Sequence, residues 1–141
     1  SPELSDRLKA LGIPLFDSIK KEEFRQLLHQ ADVLISVHGK EIVPKELLHM
    51  PPLGCVNVHP YLYQYKGSRP VERALQDGNF KGSVGAHMMV SKVDEGQLIH
   101  EEYVDVSGSQ TVIEIYNKLY PTYVTTVQKL LRSLSDGKIN Q

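Results

Sequence analysis

An amide and an imidazole stand two residues apart in Gly54-Cys55-Val56-Asn57-Val58-His59-Pro60, and a carboxylate follows in Val93-Asp94-Glu95-Gly96-Gln97-Leu98-Ile99. The first run is apolar apart from Asn57 and His59, a strand pattern, and residues two apart on a strand leave the same face of the sheet. Asn57 then offers an N–H donor beside His59, a general base, and Asp94 is available to orient or charge the imidazole. A donor for a developing oxyanion, a base and a carboxylate are the parts that addition to a carbonyl requires. Taken alone the Asn-x-His pair is weak evidence, because a histidine on a half-buried strand is more often a hydrogen-bonded structural residue. No metal is expected: His100-Glu101-Glu102 lacks a second histidine four residues after the first, and Cys55 is the only cysteine,. His29, His38, His49 and His100 read as structural or loop residues.

A frame must hold these groups. Leu4, Leu8 and Leu11 recur at helical spacing until Gly12, and the apolar run Ile13-Pro14-Leu15-Phe16 reads as a strand. A second helix follows Ser18, with Phe24, Leu27 and Leu28 on its apolar face. Asp32 to Val37 has strand length and β-branched content and ends in the loop His38-Gly39-Lys40. Pro44 opens a short helix through Leu48, which Pro51-Pro52 ends before the strand of Asn57 and His59. After a loop rich in tyrosine, Pro70 starts a helix from Val71 to Gln76. Two extended segments, 84–90 and 98–106, then flank the Asp94-Glu95-Gly96 turn as an antiparallel pair. Val112, Ile115, Tyr116, Leu119, Tyr123, Val127, Leu130, Leu131 and Leu134 mark a long final helix that Pro121 kinks or divides.

Helices alternating with strands predict an α/β sandwich around a mostly parallel sheet with a late antiparallel pair. The loops after Val37 and His59 fall at carboxyl ends of strands, where such sheets bind ligands. The 141 residues, 40% of them hydrophobic, suffice for the core of one domain spanning 1–141,. Sixteen basic against seventeen acidic residues give a formal charge of −1. That balance lacks the basic footprint of a nucleic-acid or anionic-membrane partner. No apolar run approaches the roughly 20 residues of a membrane span, no signal peptide is recognisable, and the cytoplasm is the expected compartment.

The surroundings add a resemblance. Pro44-Lys45-Glu46-Leu47-Leu48 leads to the Asn57 run. Then come Tyr65-Lys66-Gly67-Ser68-Arg69-Pro70, Ala74-Leu75-Gln76-Asp77-Gly78, His87 and the Asp94 run. In order and spacing this resembles the formyltransferase family that uses 10-formyltetrahydrofolate, over roughly Ile13 to Leu131. Methionyl-tRNA, glycinamide ribonucleotide and sugar-nucleotide formyltransferases belong to that family. The resemblance implies a Rossmann-like three-layer fold, a first strand-helix unit lacking here, and 10-formyltetrahydrofolate as formyl donor. It implies a small-molecule primary amine as acceptor, a sugar nucleotide favoured over glycinamide ribonucleotide by Lys66 to Pro70 and the Ala74 to Gly78 helix end. Asn57 would serve the formyl oxygen, His59 the amine proton and Asp94 the imidazole or a proton relay, with His87 in support. The pterin would lie against Ile42, Val43 and the loop ending at Asp94.

Two segments depart from the family pattern. The loop after His59 reads Tyr61-Leu62-Tyr63-Gln64 in place of serine-leucine-leucine-proline, and Gly85 stands where a threonine is usual two residues before His87. Rival readings are a formyltetrahydrofolate hydrolase, with water in place of the amine, and a non-catalytic folate- or nucleotide-binding relative. The oligomeric state is left open, a homo-oligomer included.

Overall fold

The computed structural model describes residues 2–39, 41–90 and 96–137. Its elements are α1 (Pro2–Ala10), α2 (Glu22–Leu28), β1 (Leu34–Val37), a 3₁₀ turn (Lys45–Leu47), β2 (Cys55–Pro60), α3 (Pro70–Gln76), β3 (Lys81–Met88), β4 (Leu98–Asp105) and α4 (Val112–Ser135). The strands form one sheet in the order β1-β2-β3-β4, and the Rossmann-like α/β class is the one expected.

The sheet is more mixed than the sequence suggested. β1 and β2 are parallel, whereas β2–β3 and β3–β4 are both antiparallel. Residues 61–80, which include α3, join β2 to β3 without crossing back over the sheet, so the chain re-enters it from the end at which it left,.

Ile13 to Phe16 is a second correction, because no strand ladder includes it among the described residues. Ile13, Leu15 and Phe16 are exposed, and Phe16 meets the Phe24 ring edge-on at 5.9 Å. Without a neighbouring strand to take its backbone groups, an apolar run of this length has no ladder to join.

Pro121 is a third. It lies on the exposed face inside α4, and the helix continues through it to Ser135. The buried positions on either side, Ile115, Leu119, Tyr123, Thr126 and Leu130, keep one helical stripe seated on the core,. That stripe belongs to the same cluster as Val56, Val58, Val84 and Ala86 from β2 and β3. Strand alternation sends Asn57, His59, Gly85 and His87 to the opposite face,. One face of the sheet thus anchors the core, and the other carries the polar groups. Among the described residues no helix is long and apolar enough to cross a membrane.

Candidate active site

Along β2 the burial alternates: Val56 and Val58 are fully enclosed, whereas Asn57 and His59 are half-buried. Antiparallel pairing sets Asn57 opposite His87 and His59 opposite Gly85. The Asn57 Nδ2 lies 3.3 Å from His87 Nε2, and His87 Nδ1 lies 3.1 Å from the Met88 carbonyl oxygen. A carbonyl only accepts, so Nδ1 carries the proton and the neutral ring takes an N–H from Asn57 at Nε2. His87 is buried and thereby fixes which way the Asn57 amide is turned,. The amide retains a second N–H for another acceptor.

His59 is held differently. Its Nε2 is 3.1 Å from the carbonyl oxygen of Gly67, so Nε2 donates and the lone pair of the neutral ring belongs to Nδ1,. Asp94 lies outside the described residues. The structure brings Asn57, His59 and His87 together, with the Gly67 carbonyl orienting the imidazole. Gly67 was not singled out from sequence; its φ of +88° marks a backbone position suited to glycine, a signal that a turn reading could have used,.

Among the described residues three non-glycine residues have left-handed backbone: His38, Tyr61 and Arg69, with φ of 52–53°. His38 and Tyr61 are the first residues beyond β1 and β2, at the carboxyl ends of the two parallel strands. An L-residue there costs about 1–2 kcal/mol, and such costs concentrate where the chain must turn sharply beside a site. The two loops singled out from sequence are therefore where the backbone is most constrained.

The tyrosines of the altered loop pack inward. Tyr61 and Tyr65 are buried. Tyr61 donates its hydroxyl to the Asn79 carbonyl (3.0 Å), Tyr63 to the Lys81 carbonyl (2.5 Å) and Tyr65 to the Asp77 carboxylate (2.7 Å). Burial, with Tyr63 and Tyr65 close by, pushes the Tyr61 phenol up to about 12. Their hydroxyls serve as tethers to α3 and the start of β3.

Ile42 and Val43 sit between β1 and the 3₁₀ turn. Ile42 is 81% exposed, an apolar side chain left for something other than the core, and Val43 is partly covered. Beyond the turn a cavity of about 340 Å³ is lined by Leu48, His49, Pro51, Cys55, Met88 and Met89, among others. Burial raises the Cys55 thiol to about 11, so at neutral pH it is a lining group and no nucleophile,. Among the described residues no three His, Cys, Asp or Glu side chains gather as a metal site.

A Rossmann-like α/β sheet with an oriented amide beside an imidazole, at the carboxyl end of a parallel strand, defines a domain equipped for carbonyl chemistry. Residues 17–127 match the family described as Formyl transferase, and the chain belongs to it. It is 31% identical over 134 residues to the methionyl-tRNA formyltransferase of Thermotoga neapolitana, an alignment covering 92% of this chain and 43% of that protein. The chain thus spans less than half the length of such relatives. The fold is that of phosphoribosylglycinamide formyltransferase from Anaplasma phagocytophilum, with a TM-score of 0.82, 21% identity and coverage of 94% of this chain and 69% of that one. It is also that of the formyltransferase PseJ from Anoxybacillus kamchatkensis, solved with UDP-4,6-dideoxy-4-formamido-L-AltNAc and tetrahydrofolate. There the TM-score is 0.74, identity 22% and coverage 99% and 75%.

Proposed function

We propose that this protein transfers a formyl group from 10-formyltetrahydrofolate to a primary amine on a small nucleotide-linked substrate, with a sugar nucleotide favoured. The observation that carries this reading is the Asn57 amide, turned by buried His87 and set beside His59 on one face of the sheet. The folate donor supplies a formyl carbon on a nitrogen leaving group. Asn57 donates to the formyl oxygen as it gains charge. His59, oriented by the Gly67 carbonyl, receives the amine proton,. Asp94 is assigned the relay of that proton or the electrostatic support of the imidazole. Exposed Ile42, its neighbour Val43 and the segment ending at Asp94 are assigned to the pterin.

Support for a sugar-nucleotide acceptor over glycinamide ribonucleotide comes from Lys66-Gly67-Ser68-Arg69-Pro70. The balanced charge weighs against a tRNA acceptor,.

Tetrahydrofolate production would be followed with amino-sugar nucleotides, with glycinamide ribonucleotide, with methionyl-tRNA and with no acceptor. The expected result is turnover that depends on the sugar amine. Asn57→Ala should lower kcat by about 10²–10³-fold and His59→Ala by about 10²–10⁴-fold. Formate release without an amine would instead identify a hydrolase. Wild-type kcat in both variants would overturn the assigned roles.

A further inference from the structure

We propose that Glu101, on β4, is a positioning residue for His59 and acts through the loop 61–67; this rests on His59 being the working base. His59, Gly85 and Glu101 form one row across the sheet, because Gly85 pairs with His59 on one side and with Glu101 on the other. Residues directly opposite in antiparallel pairs share a face, so the row lies on the polar face.

The loop crosses this row and is fastened at each member. At one end the Gly67 carbonyl accepts from His59 Nε2 at 3.1 Å. In the middle Leu62 fills the place of the side chain that Gly85 lacks: a Cβ on Gly85 would meet Leu62 Cδ2 at 2.7 Å and Leu62 Cβ at 2.8 Å. At the far end one carboxylate oxygen of Glu101, Oε2, accepts the Tyr63 backbone N–H at 2.9 Å and the hydroxyl of buried Ser83 at 2.7 Å. The Tyr61 N–H donates to the Ser83 carbonyl at 2.9 Å, so Ser83 is tied to the loop by its backbone and to Glu101 by its side chain.

Glycine at position 85 and the carboxylate at position 101 are thus two parts of one seat. Removing the acceptor at Glu101 leaves the Tyr63 N–H and the Ser83 hydroxyl seeking new partners, which favours lifting of the loop. Lifting shifts the Gly67 carbonyl that fixes the His59 tautomer. Misplacement of a catalytic group by about 1 Å costs on the order of 10²-fold in rate. The effect belongs to kcat, since nothing in the seat requires contact with substrate.

The test compares Glu101→Ala with Glu101→Gln in the full-length protein, reading the imidazole nitrogens of ¹⁵N-labelled His59 by NMR alongside kcat and KM. Glutamine keeps an acceptor oxygen, so its His59 signals should match the wild type and its kcat should stay within about threefold. Alanine should shift His59 away from the Nε2–H form and lower kcat by about 10-fold or more with KM little changed. A folded Glu101→Ala protein with wild-type His59 signals would overturn the proposal. Should that variant fail to fold, Gly85→Ala keeps the carboxylate and displaces Leu62; the same tautomer change is expected, and unchanged His59 signals would be equally decisive against it. The NMR reading does not depend on turnover. Absence of formyl transfer with every acceptor would therefore count against the proposed function and leave the positioning of His59 to be decided by the spectra.

Discussion

Gly67 is where a single residue's backbone freedom bears on chemistry. Its φ of +88° aims a carbonyl at His59 Nε2, and a Cβ added there would meet nothing within 4 Å. Gly67→Ala therefore acts through backbone strain alone, expected to cost about 1–2 kcal/mol. Gly78, after α3, has φ +66° and the same open surroundings, which makes it a matched control. Both alanine variants should lower the urea midpoint by similar amounts without changing the slope. Only Gly67→Ala should also reduce kcat per folded molecule. Equal kcat in the two would mean that the carbonyl of Gly67 does not set the imidazole. His87 and Asn57 present the complementary case, since there a side chain fixes a side chain across paired strands, next to the irregularity in the β3–β4 ladder at Ala86–His87.

At the scale of elements, α4 holds the core face of the sheet and so keeps the polar face in register. Its start is specified by Thr111, whose Oγ1 accepts the Glu114 N–H at 3.2 Å, while the Glu114 carboxylate accepts the Gln110 N–H at 2.7 Å. The Thr111 hydroxyl meets one backbone donor that the first turn would leave unpaired, and the Glu114 carboxylate fastens the residue ahead of the cap,. Thr111→Ala is expected to lower stability by about 1 kcal/mol, read by the thermal midpoint, with kcat per folded molecule unchanged because the cap touches no site residue. A fall in kcat without loss of stability would contradict that separation. Elements of this kind were legible in the sequence, since the stripe from Val112 to Leu134, the alternation about Asn57 and the Pro70 helix start each follow from local spacing. Pairing direction and register were not. That Gly85 faces both His59 and Glu101 depends on which strands become neighbours, and no periodicity within β3 or β4 encodes it,. Ile13 to Phe16 shows the same limit from the other side, because an apolar run becomes a strand only when a partner takes its backbone groups. The tyrosine loop was ambiguous for a related reason: inward packing of Tyr61 and Tyr65 is decided by α3 and β3, which lie outside the loop itself.

Taken whole, the molecule places phenols in and beside a mainly aliphatic core, and this gives its stability a pH dependence at the alkaline end. Desolvation pushes Tyr61 and Tyr116 up to about 12 and Tyr123 higher still. Tyr61 feels the additional repulsion of Tyr63 and Tyr65, Tyr116 that of Glu72 and Tyr123 that of Tyr116. In the unfolded chain these groups lose their protons near pH 10. Between pH 10 and 12 the unfolded state then binds fewer protons than the folded state, so stability falls as pH rises; below pH 10 the contribution is present in full. The loss is on the order of 1 kcal/mol per buried phenol, allowing for partial solvent screening at Tyr61 and Tyr116. Urea midpoints at pH 8 and pH 11 should differ accordingly. Phenolate absorbance from these three tyrosines should appear only in the transition that abolishes the helical signal. Complete tyrosine ionisation near pH 10 with the helices intact would show that water reaches the core cluster. Because Tyr61 begins the loop that ends on His59, activity should be lost together with this transition, whatever the acceptor amine.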